Sequence, residues 1–142
     1  MLQAMNTGHD RSLTTIHANT PRDSISRLET LVVFAGVDLP SRAIREQIAG
    51  AIHLIVQLKR LEDGSRKVVQ VTEVAGMEGE VIVLQDIFTY QQEGFDEKRK
   101  ILGRYAATGF IPKCATLLQQ RGHEFSPEIF RTAPRVMQGG VR

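Results

Sequence analysis

Residues 53–88, HLIVQLKRLEDGSRKVVQVTEVAGMEGEVIVLQDIF, mark the point where the sequence changes period. Upstream, apolar residues recur every three to four positions. From His53 onward they alternate, with Leu54, Val56 and Leu58 on one face of a strand. EDGS reads as a hairpin turn, RKVVQVTEV as the returning strand, AGMEGE as a second turn and VIVLQDIF as a third strand. The stretch predicts a three-stranded antiparallel meander.

Two helices are predicted before the meander. Thr20, Pro21 and Asp23 form a helix start: Thr20 as N-cap, Pro21 at the first position, Asp23 closing a capping box. Ile25, Leu28, Leu31, Val32 and Ala35 make that helix's apolar face, and Gly36 ends it. The second helix, SRAIREQIAGAI, buries Ile44, Ile48, Ala51 and Ile52 and turns Arg42, Arg45 and Glu46 mostly away. Further upstream, the β-branched run of SLTTIHA predicts a short strand over residues 12–17, with residues 1–6 a stub stopped by Gly8. Downstream, QQEGFDEKRK (residues 91–100) reads as an exposed loop or charged hairpin tip. IPKCATLLQQRG is a short helix between Pro112 and Gly122, SPEIF starts another with Ser126 as cap, and the tail from Arg131 is loose.

Length and composition bound the function. A chain of 142 residues, 42% hydrophobic and 24% charged, is expected to form one soluble core. Its 18 basic and 16 acidic residues leave a formal charge of +2, too small to argue for a nucleic-acid partner, and none is predicted. The single cysteine, Cys114, has no partner for an internal disulfide and reads as a small apolar helix residue. No run approaches the ~18 apolar residues of a membrane span, and the N-terminus does not have a signal-peptide pattern. The expectation is a cytoplasmic protein that meets a membrane through partners.

Chemistry-bearing residues concentrate in TGHDRSLTTIHANTPRD, residues 7–23. His9, Asp10 and His17 could converge as a metal site, which would make a small metal-dependent hydrolase. The spacing matches no established zinc pattern, so no metal is expected. A histidine pair at a polar strand end could equally donate to a phosphate oxygen, or be ordinary loop residues. Arg11, Arg22, Arg27, Arg42 and Arg45 surround the stretch, and arginine suits phosphate and subunit-interface pairing. A P-loop needs glycine followed by lysine at its end. None of the 12 glycines here is followed by lysine. VIVLQD imitates a magnesium-binding strand ending at Asp86, but without a P-loop it reads as a core strand with an acidic end.

NTGHDRSLTTIHANTPRDSISRLETLV, residues 6–32, resembles the histidine-box region of the type II/IV secretion ATPases, most closely the Tad/Flp pilus-assembly branch. That family writes Thr-Gly-His-Asp-Gly-Ser, Thr-Ile-His-Ala-Asn, Pro-Arg and Ser-Arg-Leu-Glu. Here these are Thr7 to Ser12, Thr15 to Asn19, Pro21-Arg22 and Ser26 to Glu29. Residues 39–88, with the EVAGMEG turn, and ATGFIPKC at 107–114 extend the likeness over essentially the whole chain.

The resemblance implies an α/β fold, the C-terminal portion of a RecA-like P-loop ATPase domain. Two helices, the meander and small C-terminal helices would compose it. Residues 1–90 would be a partial ATPase domain lacking the P-loop, and residues 91–142 a C-terminal extension. It further implies a cytoplasmic hexameric ring at the inner membrane that uses ATP and magnesium for pilus assembly or secretion. Its partners would be other ring subunits and inner-membrane platform proteins. By position His17 is the box histidine and His9 the preceding one, both near the γ-phosphate, with Arg22 and Arg27 as ring-interface candidates. Arg11 stands where the family has glycine, which would strain a loop needing φ > 0. The fragment alone is expected to be catalytically inactive, to bind neither cofactor tightly, and to self-associate through exposed apolar edge and face. A non-catalytic module that docks on intact rings is the alternative.

Overall fold

The computed structural model describes residues 12–132. The expectations at residues 1–11, including His9, Asp10 and Arg11, and those for the tail from residue 133 lie outside the described residues. The chain is α/β: helix α1 (Pro21–Phe34), helix α2 (Ser41–Ala51), strands β1 (Leu54–Arg60), β2 (Arg66–Glu78), β3 (Val81–Phe95) and β4 (Ile101–Ala107), helix α3 (Lys113–Gln120) and a 3-10 turn (Pro127–Phe130). The strands form one antiparallel sheet in the order β1-β2-β3-β4.

The helix starts follow the sequence signals. Asp23 N–H donates to Thr20 Oγ1 at 3.1 Å, with Pro21 in the first turn where its missing N–H costs nothing. Gly36, at φ +75°, lies just beyond the helix end, in a backbone region where glycine escapes the Cβ clash. On α1, Ile25 is buried and Leu28 and Val32 pack half-buried against the core. Leu31 and Ala35, expected on that face, are exposed. The sheet covers a narrower stripe than the periodicity suggests, and Leu31 turns to the opposite side. On α2, Ile44, Ile48, Ala51 and Ile52 are buried as expected, and Ile48 has no exposed surface.

These two helices cover one face of the sheet through Ile55, Val74, Ile82 and Leu84. A second, smaller core lies under α3 and the 3-10 turn: Ile87, Ala115 and Phe130, with Val71, Phe88, Phe110 and Phe125 around them. Val71 and Val74 are an odd number apart on β2, so the two cores occupy opposite faces. Phe130 stacks on Phe88 at 5.7 Å between centroids and takes Phe125 edge-on at 6.0 Å, which fixes the end of the described chain on the sheet.

Two expectations about the strands are corrected. Residues 12–17 form no strand: the segment through Ala18 has no regular structure, and Leu13 is fully exposed. β-branched residues favour extended backbone, but a strand also needs a ladder partner, and none of the described strands supplies one. Ala18 O instead accepts from Gln57 Nε2 at 3.0 Å. The meander has four strands, not three. AGME belongs to β2, which a bulge between Val74 and Gly76 carries on to Glu78, and residues 91–95 continue β3 into a hairpin with β4. Polar residues on both sides of Gln91–Glu93 hide the alternation a reader relies on. Leu54, Val56 and Leu58 share a face as expected; it is the face on which α3 packs, but that cover does not reach β1 and leaves them 42–62% exposed, while Ile55 between them packs into the first core.

Two close approaches hold the hairpins. Gly103 on β4 has no space for a side chain: a Cβ there would lie 2.5 Å from Gln91 O and 2.6 Å from the Tyr90 ring. Tyr90 meets Tyr105 edge-on at 5.2 Å. At the sheet end, Asp63 of the β1–β2 turn accepts from Ser65 Oγ at 2.6 Å and Ser65 N–H at 2.9 Å through Oδ1, and from Ile101 N–H at 2.9 Å through Oδ2. These donors, the Ser65 hydroxyl foremost, bind the charged carboxylate and hold its pKa at about 2, below the ordinary 3.8. A depressed carboxylate pKa contributes stability that is full above the ordinary value and is lost as pH falls toward the folded one. Asp63→Asn is therefore expected to lower Tm at neutral pH, and the gap to the parent should shrink as pH drops from about 4 to about 2. Thermal melts at stepped pH check this; a gap constant down to pH ~2 contradicts it.

Candidate functional site

The extended segment before α1 and the solvent side of α1 enclose an open groove of about 750 Å³. His17 and Asn19 line it from the segment, and Asp23, Arg27, Leu31 and Phe34 from the helix. The helix residues recur at three-to-four spacing opposite Ile25, Leu28 and Val32, so one helix serves the core with one side and the groove with the other. Leu31 and Phe34 are 48% and 81% exposed and give the groove an apolar end. Its polar end holds one imidazole, one guanidinium and one carboxylate.

The structure separates the two candidate arginines. Arg27 lines the groove beside His17 and makes no hydrogen bond or ion pair among the described residues. Arg22 turns the other way: its Nη1 donates to Ile82 O on β3 at 2.7 Å, tying the first turn of α1 to the sheet. Arg45, expected mostly on the solvent side of α2, also ties elements together. Its Nε donates to both carboxylate oxygens of Glu29 at 3.1 Å, and its Nη1 to Glu80 O at 3.1 Å. The hydrogen bond and charge of Glu29 raise the Arg45 pKa further. Arg42 pairs only with Glu46, at 3.0 Å, on the outer surface of α2.

Among the described residues no group of three or more His, Cys, Asp or Glu is placed to hold a metal ion. Asp86, at the end of VIVLQD, accepts from Gln70 Nε2 at 2.7 Å and Thr72 Oγ1 at 2.8 Å. Its first oxygen is thus occupied by sheet neighbours. The groove offers a donor flank to an anion, through His17 and Arg27, but no glycine-rich turn and no lysine.

Sequence reasoning missed Glu73. It is 4% exposed on β2, and its Oε1 accepts from Cys114 N–H, at 3.4 Å, in the first turn of α3. Its Oε2 is buried with no hydrogen-bond partner. Burial, then the neighbouring Glu73 charge, pushes the Cys114 thiol pKa up, which keeps that cysteine an inert thiol. The available signal was α3 itself. Pro112 cannot cap it with a side chain, so the acceptor had to come from elsewhere in the chain.

An α/β chain with a histidine-bearing groove against its first helix is the class the geometry defines. The family model for the type II/IV secretion system protein matches residues 1–121. The chain belongs to that family. A putative conjugal transfer protein of Mycobacterium tuberculosis (strain H37Rv) is 32% identical over 81 residues, 57% of this chain and 22% of its own length. The conjugal transfer protein TrbB of Rhizobium radiobacter is 40% identical over 79 residues, 56% of this chain and 22% of its own. A probable conjugal transfer protein TrbB of Sinorhizobium fredii is 33% identical over 95 residues, 66% of this chain and 27% of its own. The chain thus spans about a quarter of the length of the curated relatives it matches. No helix among the described residues is long and apolar enough to cross a membrane.

The contrast between the arginines is testable. Arg22→Ala should lower stability by about 1 kcal/mol, the scale of a hydrogen bond from a charged donor that is partly solvated. Arg27→Ala should stay within about 0.5 kcal/mol of the parent. Urea melts of both variants measure this, and equal losses would contradict the assignment.

Proposed function

We propose that this chain is the C-terminal part of a RecA-like secretion ATPase of the Tad/Flp pilus-assembly branch, and that it contributes the histidine-bearing flank of the nucleotide site. The observation that carries the reading is the convergence of His17 and Arg27 on one open groove, within a family match over residues 1–121. In the proposed assembly His17 and His9 act at the γ-phosphate region, and Arg27 reaches across a subunit boundary. Arg22, whose Nη1 holds the first turn of α1 to the sheet, stands as the second ring-interface candidate. The glycine-lysine cradle and the acid that holds magnesium come from residues outside this chain. ATP with magnesium supplies the hydrolysable phosphoanhydride when bound; this chain's share is orientation and hydrogen bonding at one edge. The ring is proposed to be hexameric and to work against inner-membrane platform proteins.

The purified 142-residue chain should accordingly show no magnesium-dependent ATP turnover above background. Turnover by the chain alone that His17→Ala abolishes would overturn the reading. The positive arm supplies the chain in trans to a family ATPase lacking its own corresponding part. Restored turnover should fall at least about tenfold with His17→Ala, as for loss of one transition-state donor. The exposed Leu54, Val56 and Leu58 on the edge strand β1 favour a second reading, a docking module. Co-purification with the ring and no restored turnover would select it.

A further inference from the structure

The sheet end where the β1–β2 and β3–β4 turns meet sets cations against one another. Lys59 stands opposite Lys67 and Arg60 opposite Arg66 in the β1–β2 register. Like charges facing each other across an antiparallel pair oppose the pairing. The adjoining β3–β4 turn adds Lys98, Arg99 and Lys100. Asp63 joins the turns through its 2.9 Å bond to Ile101 N–H, so the two sets of charge sit on one end of the molecule.

Little nearby neutralises them. None of these cations has a carboxylate within ion-pair distance among the described residues. Asp63 is engaged by Ser65 and Ile101, and Asp96 Oδ1 by the N–H groups of Lys98 and Lys100 at 2.9 and 2.7 Å. Glu62 and Glu97 are the remaining turn acids, so seven cations face four carboxylates. Arg99 is also the one described non-glycine residue with positive φ, at 59°. Glycine or asparagine would sit there with less strain, yet the turn carries an arginine whose side chain is exposed. Phe95 and Leu102, on the strand ends that lead into this turn, are 51% and 50% exposed.

We propose that the joined hairpin tips are a contact surface for an anionic phospholipid bilayer, with the tip cations on headgroup phosphates and Phe95 and Leu102 at the acyl boundary. Cations at projecting turns, with exposed apolar residues beside them, suit a planar interface of negative charge. A single-stranded polynucleotide would instead need open aromatic faces along a basic groove. Phe95 is a single exposed ring at the tip, and Tyr90 is already engaged by Lys67 Nζ at 5.5 Å and by the Tyr105 edge, so no row of open rings runs along the cations. The inference does not rest on the nucleotide reading, and its test reads no turnover.

Flotation with phosphatidylcholine vesicles containing about 30% phosphatidylglycerol tests it on the full chain. Wild-type protein should float with these vesicles, stay down with pure phosphatidylcholine, and be released as salt rises. The triple variant Lys98→Gln, Arg99→Gln, Lys100→Gln should bind at least tenfold more weakly. Phe95→Ser, which keeps every charge, should also weaken binding. Arg104→Gln, whose side chain is paired with Glu93 at 2.6 Å, should not. Circular dichroism melts report whether each variant is folded; if the triple variant is not, Phe95→Ser and the salt titration decide. No binding to the anionic vesicles, equal binding to both vesicle types, or an unaffected triple variant overturns the proposal. So does tighter binding of a single-stranded oligonucleotide through the same residues, which would assign the surface to nucleic acid.

Discussion

Two backbone carbonyls beside the β2–β3 turn organise the N-terminal half of the fold. Ile82 O accepts from Arg22 at the start of α1, and Glu80 O from Arg45 in the middle of α2. Arg45 also grips Glu29 through both oxygens, so the helices are tied to each other and to the same corner of the sheet. Apolar contact through Ile25, Ile44 and Ile48 supplies most of the driving force, but it is non-directional. The arginine contacts give it an angle. They fix which side of α1 looks outward, and with it the position of Arg27 relative to His17.

Local chemistry made the helices legible. The Thr20–Pro21–Asp23 start, the Gly36 end, and the α2 periodicity each depend on near neighbours, and the structure keeps them. Non-local matters were not legible. A β-branched run at residues 12–17 carries a preference, while a strand requires a ladder whose other half is not local. Gln91 to Glu93 read as loop or hairpin tip because neither face of that part of β3 is apolar, yet Arg104 and Gly103 pair with Gln91 and Gln92 and a bulge at Glu93 carries the ladder on to Phe95.

The site divides in the same way. Resemblance brought His17 and Arg27 forward, and the groove contains both. It could not tell Arg22 from Arg27, because the distinction lies in a carbonyl 60 residues downstream. Glu73 was invisible for a related reason: an acid in VQVTEV looks like the polar half of an alternating strand. Its surroundings are a helix terminus whose proline cap cannot satisfy the N–H groups behind it. Family membership shows in long colinear similarity, whereas each side chain's contacts show only in where it ends.

Gly103 has a mechanical consequence. The Tyr90 ring and the Gln91 carbonyl fill the space a side chain would occupy there, so the β3–β4 hairpin has no slack on that side. A glycine in a strand ordinarily invites bending; this one is braced. The position therefore admits glycine alone: any side chain would displace the Tyr90 ring or part the two strands.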